Sequence, residues 1–291
     1  MKPAVALVST ALNATSLVAP RLAGRGAVEL FLRPGRRARL RDSEREVHER
    51  AVTEEVTVGG RRVVVYRWGD GGRPVLLVHG WQSRASRLAA FVPPLRALGH
   101  SVVAFDAPGH GASGGRTTTI LEYREVIRTL QQRHGTFDAV IAHSLGVPGA
   151  VLALRDGVRA GRLVAVAGVA EFGYLPAAFC AGLGLNARVE RELRSRIGRE
   201  LAVTSEGGWQ RLDAVHDPAA VPMPVLVVHD EGDAVVPVGQ AHRFKAVYGE
   251  RLELIVTRGL GHGRILGTPA VIDNVIGFLS EPAPVPAATP Q

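Results

Sequence analysis

Cysteine is almost missing from this 291-residue chain, in which Cys180 stands alone. That excludes an internal disulfide and any metal site built from clustered thiolates. It also fits a reducing compartment, so the chain is expected in the cytoplasm. Lysine is almost missing too, at Lys2 and Lys245 only, so arginine carries nearly all of the positive charge behind a net charge of +8. A basic balance by itself would suggest nucleic acid. The arginines are densest between Arg21 and Arg50, where Glu29, Asp42, Glu44, Glu46 and Glu49 dilute them. Aromatic residues do not alternate with them as a base-stacking surface requires. A solvated amphipathic face is expected there, and no nucleic-acid partner.

Long apolar runs are also lacking. A membrane span needs about 20 consecutive apolar residues. The nearest run, residues 4–19, is shorter and broken by Ser, Thr and Asn. The expectation is an N-terminal helix docked on the body, with export or membrane contact of this segment as the lesser alternative. No His-Glu-x-x-His occurs, no Gly-x-Gly-x-x-Gly opens a helix, no Gly-Lys-Ser/Thr phosphate loop is present and no repeat is visible. Neither a metal nor a cofactor is expected.

What the chain does have is hydrophobic content of 46%, enough for one large core. Thr53–Val58 and Arg61–Trp68 alternate as strands about Gly59-Gly60 and predict an opening hairpin. Continuous apolar runs at Pro74–His79, Ser101–Phe105, Phe137–Ala142, Arg162–Val169, Pro224–His229 and Leu252–Thr257 predict buried parallel strands. Helical patterns separate them at Ser83–Leu98 (with a break or a new start at Pro93-Pro94), Thr119–Arg133, after Ser144, at Pro237–Tyr248 and at Thr268–Leu279. This alternation predicts an α/β fold with a doubly wound, mostly parallel sheet. Residues 171–222 show helical turns and no strand, which predicts a helical lid insertion over the sheet edge. The division expected is an N-terminal helical segment at 1–50, the main domain at 51–280 and a disordered tail rich in Pro and Ala at 281–291.

One stretch organises the rest. Ala142-His143-Ser144-Leu145-Gly146 lies between an apolar strand-like run and an Ala- and Leu-rich helical run. It differs from Gly-x-Ser-x-Gly only in having Ala at the first position. A serine on a sharp strand-to-helix turn needs small neighbours at −2 and +2 so that strand and helix can approach. The pentapeptide alone leaves two readings open: an activated nucleophile, or a serine capping a helix.

The other polar residues fall where strands end: His79, Asp106, His229, Asp230, Asp233, and His262 in Arg258–Gly263, expected to be a loop. Open α/β sheets carry their chemistry at those ends. Serine becomes a good nucleophile only beside a base that a third group orients, and Ser144, Asp233 and His262 supply a hydroxyl, an acid and an imidazole in that order.

From Thr53 to Leu279 the chain resembles the alpha/beta-hydrolase superfamily, more narrowly its serine-dependent esterase and lipase-like members. Four matches carry the resemblance: His79-Gly80-Trp81, Asp106-x-Pro-Gly-His-Gly-x-Ser113, the Ser144 turn, and Asp230-x-x-Asp233-x-Val-Val-Pro237 followed by Gly261-His262. The resemblance implies Ser144 as nucleophile, His262 as general base and then acid, and Asp233 as the orienting carboxylate. Asp230, Glu231 and Glu171 are alternative acids, and Asp230 or Glu231 could instead cap the following turn. It implies an oxyanion hole from the backbone N–H groups of Trp81 and Leu145. His79 and His143 are expected to hydrogen-bond within loops that shape the site, His110 to be structural and His229 to be buried. Asp106 is expected to tie its own loop together. The implied activity is a serine hydrolase that cleaves carboxylic esters of a small-molecule acyl substrate through an acyl-enzyme. An acyltransferase, thioesterase, amidase or carbon–carbon hydrolase on the same triad, and a non-catalytic ligand-binding protein on the same scaffold, are the alternatives.

Overall fold

The computed structural model describes residues 3–201 and 208–281. Residues 202–207 of the expected lid, and the expected tail beyond Glu281, lie outside the described residues. In chain order the helices and strands are α1 (Pro3–Val18), α2 (Pro20–Phe31), α3 (Asp42–Glu49), β1 (Val52–Val58), β2 (Arg61–Trp68), β3 (Pro74–Val78), α4 (Val92–Ala97), β4 (Ser101–Asp106), α5 (Ile120–His134), β5 (Ala139–His143), α6 (Gly146–Arg155), β6 (Leu163–Val166), α7 (Tyr174–Leu183), α8 (Ala187–Glu200), β7 (Val225–Asp230), α9 (Gly239–Tyr248), β8 (Leu252–Thr257), α10 (Gly261–Arg264) and α11 (Pro269–Ser280). The eight strands form one sheet in the order β1-β2-β4-β3-β5-β6-β7-β8. The hairpin β1–β2 and the pair β2–β4 are antiparallel, and all pairs from β4 through β3 to β8 are parallel. This is the alpha/beta-hydrolase fold, with α7 and α8 as the lid insertion.

The sheet is apolar on both faces, and the period of two sorts its side chains. Leu76, Val78, Val140 and Ala142 face one core, shared with α5, α6, α8 and α9. Val75, Leu77, Ala139 and Ile141 face the other, shared with α4 and α11. Helix α2 joins the first core through Ala23, Ala27 and Val28. Gly24 lets it approach α8, because a Cβ there would stand 2.6 Å from the Glu192 Cβ.

Two local expectations are corrected in part, although the new start expected at Pro93-Pro94 is found. Residues 85–91 form 3₁₀ turns rather than the start of one helix, and α4 begins only at Val92, with Pro93 and Pro94 in its first turn. A first turn tolerates proline because its N–H groups have no helical partner. The expected loop 258–263 ends in the short helix α10, which carries His262. Among the described residues, no helix is long and apolar enough to cross a membrane.

The chain passes from β3 outward to β4, then returns to the other side of β3 to form β5. That reversal opens a crevice at the carboxyl ends of β3 and β5. His79-Gly80-Trp81 and Ser144 follow directly at those ends.

Candidate active site

Ser144 stands between β5 and α6 with φ +55°, a left-handed conformation that side chains other than glycine rarely adopt. Its N–H donates to the Val166 carbonyl at 3.0 Å, which pins the strained residue to β6. The turn is packed on both sides. A Cβ on Gly146 would stand 2.7 Å from the His79 carbonyl oxygen, and one on Gly80 would stand 2.7 Å from the Ser144 Cβ. Ala142 is fully buried in β5, so alanine fits the first position of the motif.

His262 reaches this hydroxyl from α10. Its Nε2 lies 3.1 Å from the Ser144 Oγ, and its Nδ1 lies 2.7 Å from the Asp233 Oδ2. A carboxylate only accepts, so Nδ1 carries the proton and Nε2 is free to take one from serine. The other oxygen of Asp233 accepts the N–H groups of Val235 and Val236 at 2.8 and 2.9 Å. Burial alone would push the Asp233 carboxyl up. The hydrogen bonds from His262 and from the two N–H groups outweigh it and hold the carboxyl below its ordinary value.

The alternative acids lie elsewhere. Asp230 is fully buried and accepts Gly232 N–H at 3.0 Å, Thr257 Oγ1 at 2.9 Å and Leu260 N–H at 2.9 Å. It ties the loop after β7 to the loop after β8, fixing the acid and the histidine relative to each other. Glu231 pairs with Arg258, and Glu171 with Arg243. Sequence reading offered Asp230 as an alternative acid or as a cap of the following turn, and the bond from Gly232 is such a cap; its link to the loop after β8 was not legible.

Trp81 and Leu145 flank Ser144 on the wall of one cavity. Among the described residues, neither backbone N–H donates a hydrogen bond, so both are free to bind an oxygen developing negative charge. The loop that carries Trp81 is held by two buried histidines. His79 donates from Nδ1 to the Gly80 carbonyl at 2.7 Å and accepts the Ala107 N–H at Nε2 at 2.9 Å. His110 accepts the Gln82 N–H at 3.1 Å. Burial lowers the pKa of both, that of His110 to about 3, so both stay neutral. Asp106 accepts Ala85 and Ala112 N–H and the Tyr66 hydroxyl, and is structural. His229 is fully buried and bonds the Val236 carbonyl at 2.8 Å.

His143 faces the underside of His262, with ring centroids 4.7 Å apart, and donates from Nε2 to the His262 carbonyl at 3.1 Å. Burial first, and then the neighbouring imidazole, lowers its pKa to about 3. It packs against His262 without adding a second positive charge beside it.

The cavity above Ser144 has a volume of about 240 Å³. Its wall is mostly apolar, with Ile120, Phe172, Leu175, Phe179 and Ile197, and the N-terminal segment adds Phe31 and Leu32. The same segment reaches below the wall, where the Arg37 guanidinium donates to the carbonyls of Gly111 and Gly115 at 2.8 and 2.9 Å and so clamps the glycine-rich loop. Sequence reading found no role for this segment. Among the described residues, no group of three or more His, Cys, Asp or Glu side chains could hold a metal ion.

Comparison with known proteins agrees with this architecture. Residues 75–273 match the model of a family described as the alpha/beta hydrolase family. A serine hydrolase-like protein of Danio rerio is 27% identical over 159 residues, covering 50% of this chain. The chain spans about half the length of that curated relative, 47% of it. Among solved structures, an esterase of Pyrococcus furiosus superposes with a TM-score of 0.63 at 20% identity, over 84% of this chain and 97% of the esterase. The mouse alpha/beta hydrolase domain-containing protein 10 superposes with a TM-score of 0.61 at 18% identity, over 79% and 97% of the two chains. At such identities these structures speak to the fold alone.

Proposed function

The chain belongs to the alpha/beta hydrolase family, and from that premise we propose that it hydrolyses carboxylic esters of small-molecule acyl substrates through an acyl-enzyme on Ser144. The observation that carries the reading is the unbroken hydrogen-bonded line from the Ser144 hydroxyl through His262 to Asp233. As the Ser144 Oγ attacks the ester carbonyl, its proton passes to His262 Nε2. Asp233 holds the Nδ1–H and stabilises the imidazolium that forms. The carbonyl oxygen, now an oxyanion, takes the N–H groups of Leu145 and Trp81. The tetrahedral centre collapses, His262 returns its proton to the departing alkoxide, and the alcohol leaves. Water then repeats the sequence on the acyl-enzyme, releasing the acid and restoring Ser144.

The cavity supports an acyl chain of middling length. A water-sized group takes about 30 Å³, so the space holds about eight such groups in apolar surroundings. Nitrophenyl esters of rising acyl length, run beside matched thioester and anilide probes, test both parts of the reading. The expected result is ester turnover whose kcat/KM peaks at intermediate chain length. Preference for the anilide or thioester, or tight retention of the ester without turnover, would overturn it.

A further inference from the structure

Helix α1 turns Ser9, Asn13 and Ser16 toward the protein, beside Leu12, and presents an outer side that is apolar except for Thr10. On its inner face, Ser9 and Asn13 donate to the Gly184 carbonyl at 3.3 and 2.9 Å, Asn13 accepts the Asn186 N–H at 2.9 Å, and Ser16 accepts the Asn186 side-chain amide at 3.0 Å. These bonds fasten α1 to the turn between α7 and α8. The opposite stripe, Leu7, Ala11, Ala14 and Val18, is exposed along its length, and residues 3–18 carry no charge. Leu7 is 73% exposed, Leu17 64%, Val18 86% and, at the start of α2, Leu22 62%. Single apolar side chains on a surface are ordinary. Here, of the nine large apolar side chains exposed among the described residues, five lie between Leu7 and Leu22. A water-facing helix places its polar side chains outward, and this one turns all but its threonines inward.

We propose that this face rests on an anionic lipid surface, with α1 lying in the plane of the interface. Sixteen residues make a helix about 24 Å long, and no described helix can cross a bilayer, so the helix lies on the surface rather than spanning it. Its surroundings carry matching charge. Arg21 of α2 and Arg188 and Arg191 of α8 are exposed and pair with no described carboxylate. The acidic groups nearby are Glu29, already bridged by Arg25 and Arg33, Glu190, bridged by Arg194, and Glu192 and Glu200. A second copy of this chain, itself at +8, would bring arginine against arginine, whereas anionic headgroups complement them. Helices α2 and α8 also wall the cavity through Phe31 and Ile197, so docking would set the roof of the cavity against lipid.

Co-sedimentation of the full chain with vesicles tests this without any assay of hydrolysis. One set is phosphatidylcholine alone, and the other equal parts phosphatidylcholine and phosphatidylserine. The expected result is binding to the mixed vesicles that weakens with salt and on phosphatidylcholine alone. The folded triple variant Leu7→Ser, Leu17→Ser, Val18→Ser is expected to bind about tenfold or more weakly. The variant Arg21→Glu, Arg188→Glu, Arg191→Glu is expected to bind mixed vesicles no better than neutral ones. The proposal fails if the parent stays in the supernatant with both vesicles, or if the folded serine variant binds like the parent. A dimer of the parent, seen by light scattering and lost in the serine variant without vesicle binding, would assign the face to a second copy and overturn it equally.

Discussion

The rim of the sheet and the roof above it share one cavity but are held in opposite ways. At the rim the groups that matter are polar and buried, and each is held several times over. Asp233, Asp230 and Asp106 each accept three hydrogen bonds. The roof offers Phe31, Phe172, Phe179 and Ile197, side chains without hydrogen-bonding groups. Removing one partner from a buried polar cluster leaves another unsatisfied, at about 1–3 kcal/mol, so the rim tolerates little change. Apolar walls exchange side chains of similar volume at low cost. The difference teaches that, on the proposed function, chemistry is fixed at the sheet and selectivity is left to the helices.

The sharpest way to break that division is to alter the rim and find chemistry intact. Ser144→Ala removes the proposed nucleophile, and kcat on a nitrophenyl ester is expected to fall on the order of 10⁴–10⁶-fold, with the thermal midpoint little moved. The two neighbouring carboxylates come next. Asp233→Asn disturbs the proton arrangement on His262, so kcat is expected to drop on the order of 10³–10⁴-fold with KM nearly constant. Asp230→Asn touches no reacting group and should act through stability, with Tm lower on the order of 5 °C and a smaller loss of kcat. Kinetics and thermal melts on the same two preparations separate these roles.

Acid should weaken the rim before the roof. His79, His110, His143 and His229 are buried there, and burial lowers the pKa of each. Their folded values lie below the unfolded value of about 6.5. Below that pH the unfolded chain therefore binds more protons than the folded one, and stability falls as pH falls. Each contributes about 1.4 kcal/mol per pH unit, over a window that for His110 and His143 reaches down to about 3. Urea midpoints measured from pH 7 to about pH 5 should fall steeply, and less steeply for His110→Gln.

The smallest effects belong to the roof. Phe31→Ala and Phe179→Ala are expected to change KM for a medium-chain ester several-fold, within the roughly 1–3 kcal/mol a pocket wall commands. Turnover of an acetyl ester should stay close to the parent's. A large fall in kcat on that short substrate would show that the roof takes part in the chemistry and would erase the contrast.

The same division explains what could be read from the sequence. Chemistry at strand ends demands particular residue types, so Ser144, Asp233 and His262 stood out, and so did the small residues around the serine turn. Residue type alone could not separate Asp233 from Asp230, Glu231 and Glu171, which all lie at or beyond strand ends; the resemblance singled out Asp233, and the fold brings its carboxylate to His262. The helical turn that carries His262 was hidden because Gly259, Gly261 and Gly263 mark a loop in any local reading. The roof was least legible. Phe31 reaches the cavity because α2 packs on α8 through Gly24, a contact between distant parts of the chain with no local signature. The inward polar face of α1 was likewise unreadable, because only the docked turn at Gly184–Asn186 shows which side is inside.

The most direct measurement is the site of labelling by a fluorophosphonate, mapped by mass spectrometry on folded protein. A single adduct on Ser144 that forms rapidly in the parent and slowly in His262→Ala is the predicted result. An unlabelled Ser144, or labelling at equal rates in the two proteins, would contradict an imidazole-activated serine at this rim.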